Sequence, residues 1–513
     1  MFKWKRAAAA AVAAVIALSG CSGGGGGSAG EGTGSGQERG GTLNWGVPVP
    51  VTTFAAADAQ WARQSPYLQA VYDTILKAAP DGSIEPNLAT EWEYNDDNTV
   101  LTLTLRDDVV FTDGEKLTAD AAAKSLLAFK SGTSPNARNL ALVQDVRAVD
   151  ETTLEIVLSA PDPALLVYLT QNAGLVASPA ADPASLASVP VGSGPYVFNE
   201  AETVVGNSYV FDRNEDYWNP DIQYYDELIL RVYPDPSALA SAVQGGQVNV
   251  ADVLDPTTVA QMEAAGFTAN KREPGWAGLL IGDREGKLVP ALGDVRVRQA
   301  INFALDREAL AATIAAGYAT PTTQIFPTYS PSFDEELDSY YEYDLDKAKE
   351  LMEEAGYADG FEMTMPRSST TAAANFVLIA DQLAQIGITV NYEDVQVSSL
   401  ISDILSAKYP AAFFQLQQDP TDWQLVNFQV AAASPWNFFH VQDPTVEGLI
   451  STIQTGGEDE AAEAGAELNQ YLVENAWNAP FYRPQNIFVS DANTKAEVQV
   501  GNAVPYLWSV QPK

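Results

Sequence analysis

Apolar positions along the chain repeat with two periods, and the switches between them predict alternating strands and helices. Leu101, Leu103 and Leu105 alternate with threonines, as in a half-buried strand. The cluster Asn95-Asp96-Asp97-Asn98 before it predicts a turn, since Asn and Asp tolerate left-handed backbone and bond to their own main chain. That cluster lacks the spacing and the downstream glutamate of a calcium loop. Asp113-Gly114 predicts a second turn, and Thr118 caps a predicted helix over 119–129. Leu68, Val71, Tyr72 and Ile75 share a helical face, predicting a helix over 67–76. Residues 146–158 read as strand, turn, strand. Strand 229–233, helix 236–243 and a strand after Gln247 follow βαβ grammar.

A short apolar run, Trp276 to Ile281, predicts a buried strand. After a loop rich in Gly and charge, Asp294 stands where a helix N-cap belongs. Val297, Ala300, Ile301, Ala304 and Leu305 form one helical face behind it. Asp306 predicts a second cap and Gly317 a helix end. Asp346 is expected to cap a helix over 347–355, stopped by Gly356. A strand over 361–365, a helix ended by Gly387, a strand over 388–392 and a helix over 460–475 complete the pattern. Here the chain leaves one lobe and founds another.

The first 21 residues fit none of this. Lys3, Lys5 and Arg6 precede an apolar stretch, Ala7 to Leu18, too short to span a bilayer. Leu18-Ser19-Gly20-Cys21 resembles a bacterial lipobox, which implies cleavage before Cys21 and its lipidation. Residues 22–41 are dominated by Gly and predict a flexible tether with a typical span of about 25 Å. A protein anchored on the outer face of the cytoplasmic membrane through Cys21 is the expectation.

Composition narrows the chemistry. The formal charge is −39, and loss of the three basic leader residues would take it to −42. Such a field repels nucleic acid and anionic lipid. With one cysteine and one histidine, His440, no intramolecular disulfide forms and no zinc site of several His or Cys ligands can be built. No nucleophile-elbow pattern accompanies His440, so a structural or pocket-lining role is expected of it.

Several phrases resemble, in order, the family-5 extracellular solute-binding proteins, the dipeptide, oligopeptide and nickel receptors of ABC importers. They include Leu88-Ala89-Thr90-Glu91-Trp92, the strand 99–106, Gly192-Ser193-Gly194-Pro195-Tyr196 and Asn214 with Tyr217-Trp218. The strongest runs from Asp294 to Arg307, and Glu354-Ala355-Gly356-Tyr357 follows. The resemblance covers nearly everything from Thr42 onward. It implies an α/β, two-lobed periplasmic-binding-protein-like clamp with an extra domain inserted in lobe I. Lobe I is expected at 42–66, 191–286 and 488–513, the insertion at 67–190 and lobe II at 287–487. The implied protein is a monomeric receptor, not an enzyme and without cofactor, which captures a solute and hands it to a membrane permease.

A cleft receptor needs aromatic faces and a few oriented polar groups. The expected ligand-binding set is Trp45, Trp276, Gln417, Asp419, Trp423, Asn437 and Phe438, with Arg367 and Arg483 as possible anion clamps. Peptide receptors of this family carry an ammonium-binding aspartate three residues before an Asp-Pro or Glu-Pro pair. Asp419-Pro420 resembles that pair, which puts Leu416 at the aspartate's position, with Asp419 or Asp422 as substitutes. A peptide is the expected solute and an oligosaccharide the alternative, because amides and indoles suit sugars. A nickel ligand is disfavoured by the scarcity of His and Cys. Two further readings are a surface hydrolase using paired carboxylates and a sensory or adhesive lipoprotein.

Overall fold

Leu43 and Trp45 are fully buried on the strand Thr42–Val47, the central member of a seven-stranded sheet. In the computed structural model, residues 40–369, 371–417 and 421–513 are described; Cys21, the leader and Asp419-Pro420 lie outside them. Across the sheet the strands run in the order Thr268–Arg272, Asn486–Ser490, Val250–Val253, Thr42–Val47, Glu227–Val232, Ser208–Arg213 and Tyr196–Val204. Thr42–Val47 pairs in parallel with both neighbours, in register Trp45 with Leu230 and Trp45 with Val250. Helix Pro236–Gln244 supplies the crossover and is capped by Asp235, which accepts from the Ala238 N–H at 2.8 Å. Gly46 lets the helix close down: a Cβ there would stand 2.8 Å from Leu239 Cδ1.

A four-stranded antiparallel sheet, in the order Ala89–Tyr94, Val100–Leu105, Thr153–Leu158 and Val143–Ala148, forms a separate body. Its first hairpin turns on Asn95, whose Oδ1 accepts from the Thr99 and Val100 N–H groups, with Asn98 at φ +53°. Helix Ala119–Ser131 covers the sheet and is capped by Thr118. The helix expected over 67–76 is shorter, Ser65–Val71. Ile75 is spent on the core beneath the four-stranded sheet, and Leu76 opens a strand, Leu76–Ala78.

The chain leaves for this body and returns at one crossing. Gly192 and Gly194 pass so near residues 71 and 72 that a Cβ would lie 2.2 Å from the Val71 oxygen or 2.4 Å from its carbonyl carbon. The buried Asp73 carboxylate locks the crossing, accepting from Ser193 Oγ (2.9 Å), Tyr217 OH (2.9 Å) and Trp218 Nε1 (3.0 Å). Burial pushes its carboxyl up to about 6 against those three donors.

The opposite lobe is built on a sheet in the order Ala319–Pro321, Ala479–Pro484, Gly275–Ile281 and Ala411–Gln417. Every residue of Gly275–Ile281 is buried, as expected for a strand paired on both sides. Its partners put this strand in the second lobe, so the chain crosses over at Glu273-Pro274, earlier than the expected boundary at 286. Asp294 and Asp306 cap helices Val295–Phe303 and Arg307–Ile314. Helix Leu345–Glu354 starts two residues before its expected span, because Asp344, not Asp346, accepts from the Lys347 N–H. The two buried arginines of the Asp294–Arg307 phrase bind main-chain carbonyls. Arg298 donates to Leu292 and Asn475, and Arg307 to Asn302, Thr322, Pro480 and Tyr341. Burial draws Arg307 down to about 9.

The two lobes are joined by adjacent crossings, Arg272 to Gly275 and Pro484 to Asn486, with Arg272 opposite Asn486 in register. Arg483 is 3% exposed beside them. It donates to Glu273 Oε2 at 2.9 Å and, with both Nη atoms, to Asp338 at 2.6 and 2.8 Å. Its fork is consumed within the fold, so it is not an anion clamp. Replacing it with methionine leaves two facing carboxylates without their cation. Arg483→Met is expected to cost about 3–5 kcal/mol, read from the urea midpoint; adding Glu273→Gln and Asp338→Asn should recover most of it. A midpoint unchanged in the single variant contradicts this role.

Candidate functional site

The strand Ala411–Gln417 lies at the end of its sheet, bonded on one side to Gly275–Ile281 and unpaired by any strand on the other among the described residues. Its outward side chains open onto three cavities that run in series along the boundary between the lobes. The first, 470 Å³, takes Phe413, Phe414 and Gln415 from this strand and Val253, Pro256 and Ile487 from lobe I. A second, 440 Å³, shares Arg63 with the first and is walled by Val49, Pro50 and Thr52. The third, 180 Å³, shares Trp61, Ala62, Gln417 and Ala503 with the second and reaches Asn136, Arg138 and Gln171 of the four-stranded body.

The segment Gln60–Gln64 forms the lobe I wall. Gln64 Oε1 accepts from the Thr52 N–H at 2.9 Å and so fixes the Val49–Thr52 loop to it. Between the two glutamines the backbone turns sharply, with Ala62 at φ +27°, a conformation that costs an alanine energy. That turn presents Trp61 and Arg63 to the cavities. Arg63 forms an ion pair with Asp252, which is 1% exposed on Val250–Val253. No described Asp or Glu lines any of the three cavities; their charged residues are Arg63 and Arg138.

The lobes are shut upon one another. The Arg138 guanidinium lies 4.3 Å from the centre of the Phe428 ring. Trp423 Nε1 donates to Asp162 Oδ1 at 3.0 Å, and Gln454 Nε2 to the Pro161 carbonyl at 3.0 Å. Asp162 belongs to the loop after Thr153–Leu158, whereas Trp423 and Gln454 stand on helices of the second lobe.

Of the residues expected to bind ligand, Gln417 faces the cleft. Trp45 is core, edge-on to Phe488 at 5.1 Å. Trp276 is buried and donates to Gln429 Oε1 at 3.0 Å. Trp423 lines no described cavity; its indole bridges to Asp162. Asn437 is fully buried, accepting from Arg284 and donating to the Val430 and Val441 carbonyls. Phe438 packs on Gly282, where a Cβ would collide with its ring at 2.2 Å. Arg367 lies outside the cavities, paired with Asp394 through two bonds of 2.8 and 2.9 Å. Leu416 points into the core beside Trp276, and Asp422 is occupied by Ser330 and Ser332. His440 is exposed, with Nδ1 2.9 Å from the Ala432 carbonyl. Asp419 lies outside the described residues. The segment missed in the sequence, Gln60-Trp61-Ala62-Arg63-Gln64, has the amide and indole content used to select Gln415–Trp423. It follows a Val-Pro-Val-Pro loop, and those two signals together would have found it.

Burial pushes the Asp162 carboxyl up to about 6, against hydrogen bonds from the Ala164 N–H and Trp423. A carboxyl whose folded pKa exceeds its unfolded one contributes stability that is complete below the unfolded value, near 4, and lost as pH rises through 6. Asp162→Asn keeps an acceptor for Trp423 and cannot ionise. Its stability relative to the parent should therefore rise between pH 4 and pH 7.5, by on the order of 1–3 kcal/mol, measured as the difference in melting temperature at each pH. A difference that does not change with pH contradicts the assignment.

A model of the family described as bacterial extracellular solute-binding proteins, family 5 Middle, matches residues 83–437. The glutathione-binding protein GsiB of Escherichia coli K12 is 28% identical over 354 residues, a match spanning 66% of this chain and 66% of the relative. HbpA2 from Haemophilus parasuis superposes with a TM-score of 0.82 at 22% identity, over 92% of this chain and 100% of that one. DppA from Helicobacter pylori, solved in complex with peptide STSA, gives 0.75 at 23% identity over 93% and 98%. These likenesses share the two-lobed α/β clamp. With the family model matched over most of its described length, the chain belongs to the family 5 bacterial extracellular solute-binding proteins.

Proposed function

We propose that this protein captures a short peptide between its lobes and delivers it to the permease of an ABC importer. The observation that carries the peptide reading is the unpaired edge of Ala411–Gln417, bordering the cleft. An extended peptide laid along that edge gains main-chain hydrogen bonds from a strand, while the cavities on either side take alternate side chains. Relatives that bind glutathione or hold peptide STSA support the same class. Closure follows from contact with both walls: a ligand touching Gln417 on one lobe and the Gln60–Gln64 segment on the other stabilises the shut state by its difference in affinity for it. The permease then reads the shut form. An oligosaccharide would use the amides and Trp61 but would leave the strand edge unpaired, so it ranks second. A hydrolase with paired carboxylates ranks last, since the relatives of this family are binding proteins.

Two experiments test the proposal. Small molecules released by denaturing freshly purified protein are expected to be short peptides by mass spectrometry. Added back at a hundredfold excess over Kd, such a peptide should stabilise the protein by about 2.7 kcal/mol. Released neutral sugars with no peptide would overturn the reading. Anchoring is tested separately. A Cys21→Ala variant is expected to lose fatty-acid labelling and leave the membrane fraction, because stable anchoring needs its acyl chains. A variant that stays membrane-bound contradicts lipidation at Cys21.

A further inference from the structure

The strand Thr268–Arg272 ends in two adjacent cations, Lys271 and Arg272, where the chain crosses into the second lobe. Elsewhere arginines of this acidic chain pair with carboxylates, as Arg367 does with Asp394 and Arg483 with Glu273 and Asp338. Lys271 and Arg272 are instead laid on tyrosines of lobe II. The Lys271 Nζ stands 4.9 Å from the centre of the Tyr318 ring, and the Arg272 guanidinium carbon 5.4 Å from that of Tyr329. A ring face attracts a cation without neutralising it. The N–H groups of a guanidinium lie in its plane, so stacking leaves them for an acceptor. The Nε of Arg272 is buried without a hydrogen-bond partner, and burial draws the guanidinium below its ordinary range. A partly desolvated cation of this kind is costly unless an anion joins it.

Both cations line a cavity of 300 Å³, together with Glu273, Thr328, Tyr329 and Gln485. It shares Gln485 with the first cleft cavity and no described residue with the other two. The Glu273 carboxylate on its wall is engaged on both oxygens, Oε2 accepting from Arg483 at 2.9 Å and Oε1 from the Thr320 hydroxyl. Together Glu273, Arg483 and Asp338 leave a single net negative charge beside the cavity, which Lys271 and Arg272 outweigh. The Thr328 hydroxyl and the Gln485 amide add neutral donors. The main chain of Gln485 is fixed by its N–H, which donates to the Tyr318 carbonyl at 3.0 Å. A guanidinium, an ammonium, a hydroxyl and an amide around one small space suit a ligand with several charged oxygens, because a planar fork binds two of them in parallel while a point charge takes a third.

We propose that this cavity beside the interlobe crossing is an inorganic oxyanion site, apart from the solute's own cavities, in which phosphate or sulfate is held by Arg272 and Lys271 from lobe I and by Thr328 from lobe II. The site stands whether the cleft takes a peptide or a sugar.

The test is equilibrium dialysis of the full-length protein against radiolabelled inorganic phosphate, with ionic strength held constant by chloride so that screening of the acidic surface does not change. The parent is expected to bind phosphate saturably at a single site, with sulfate competing and chloride not. Lys271→Gln combined with Arg272→Gln leaves no buried carboxylate without its cation. It should melt near the parent's temperature and bind phosphate at least tenfold more weakly, the loss of charge-assisted hydrogen bonds. Thr328→Val, at an exposed position, gives a second readout and should weaken phosphate severalfold. Arg63→Gln combined with Asp252→Asn removes the cation of the cleft and should leave phosphate binding as in the parent. Absence of saturable binding by the parent would overturn the proposal. So would binding that survives in the Lys271 and Arg272 variant or is lost in the Arg63 and Asp252 variant. Displacement of phosphate by the small molecules released from purified protein would also overturn it, since the cavity would then belong to the solute's site.

Discussion

Everything in the clamp turns on the buried guanidinium of Arg483. It holds Glu273, at the crossing into the second lobe, and Asp338, within that lobe, while its own strand leads to the crossing back. Three charges taken largely out of water stay together, because separating any one leaves the others uncompensated. The two crossings are therefore pinned side by side. That is what lets Gln417 meet the Gln60–Gln64 wall and Trp423 meet Asp162.

The fold was largely legible in the sequence, for local reasons. Caps at Thr118, Asp294 and Asp306 depend on bonds spanning two or three residues, so composition announces them. Gly192 and Gly194 permit the close crossing by lacking side chains. What failed needed partners far along the chain. The run Gly275–Ile281 looked like the end of one lobe and is the centre of the other's sheet, because its neighbours come from 411–417 and 479–484. Ile75 continued a helical pattern and entered a different core.

The site was less legible, and the errors share a cause. Trp45, Trp276, Asn437 and Phe438 were chosen as aromatic and amide groups suited to a ligand, but the same groups suit a protein interior. The Trp276 indole and the Asn437 amide satisfy each other's kind within the fold, through Gln429 and Arg284. Nothing in local sequence distinguishes an amide that waits for a ligand from one that completes a core. Gln417, chosen for its place in a run rich in Gln and Trp, faces the cleft because it alternates outward on an edge strand, with Leu416 turned in behind it. Arg298 and Arg307, the most conspicuous charges of the Asp294–Arg307 phrase, bind carbonyls of the scaffold. The phrase marks the fold, while ligand preference is written in the segments that face the cleft.

The central claim is that a solute lies along the outer edge of Ala411–Gln417 with the lobes shut over it. A crystal structure of protein purified with its retained solute tests this most directly. The account predicts an extended molecule bonded to the main chain of that strand, within reach of Gln417 and of the Trp61–Arg63 turn. A solute bound elsewhere, with the strand edge still unpaired, would contradict it.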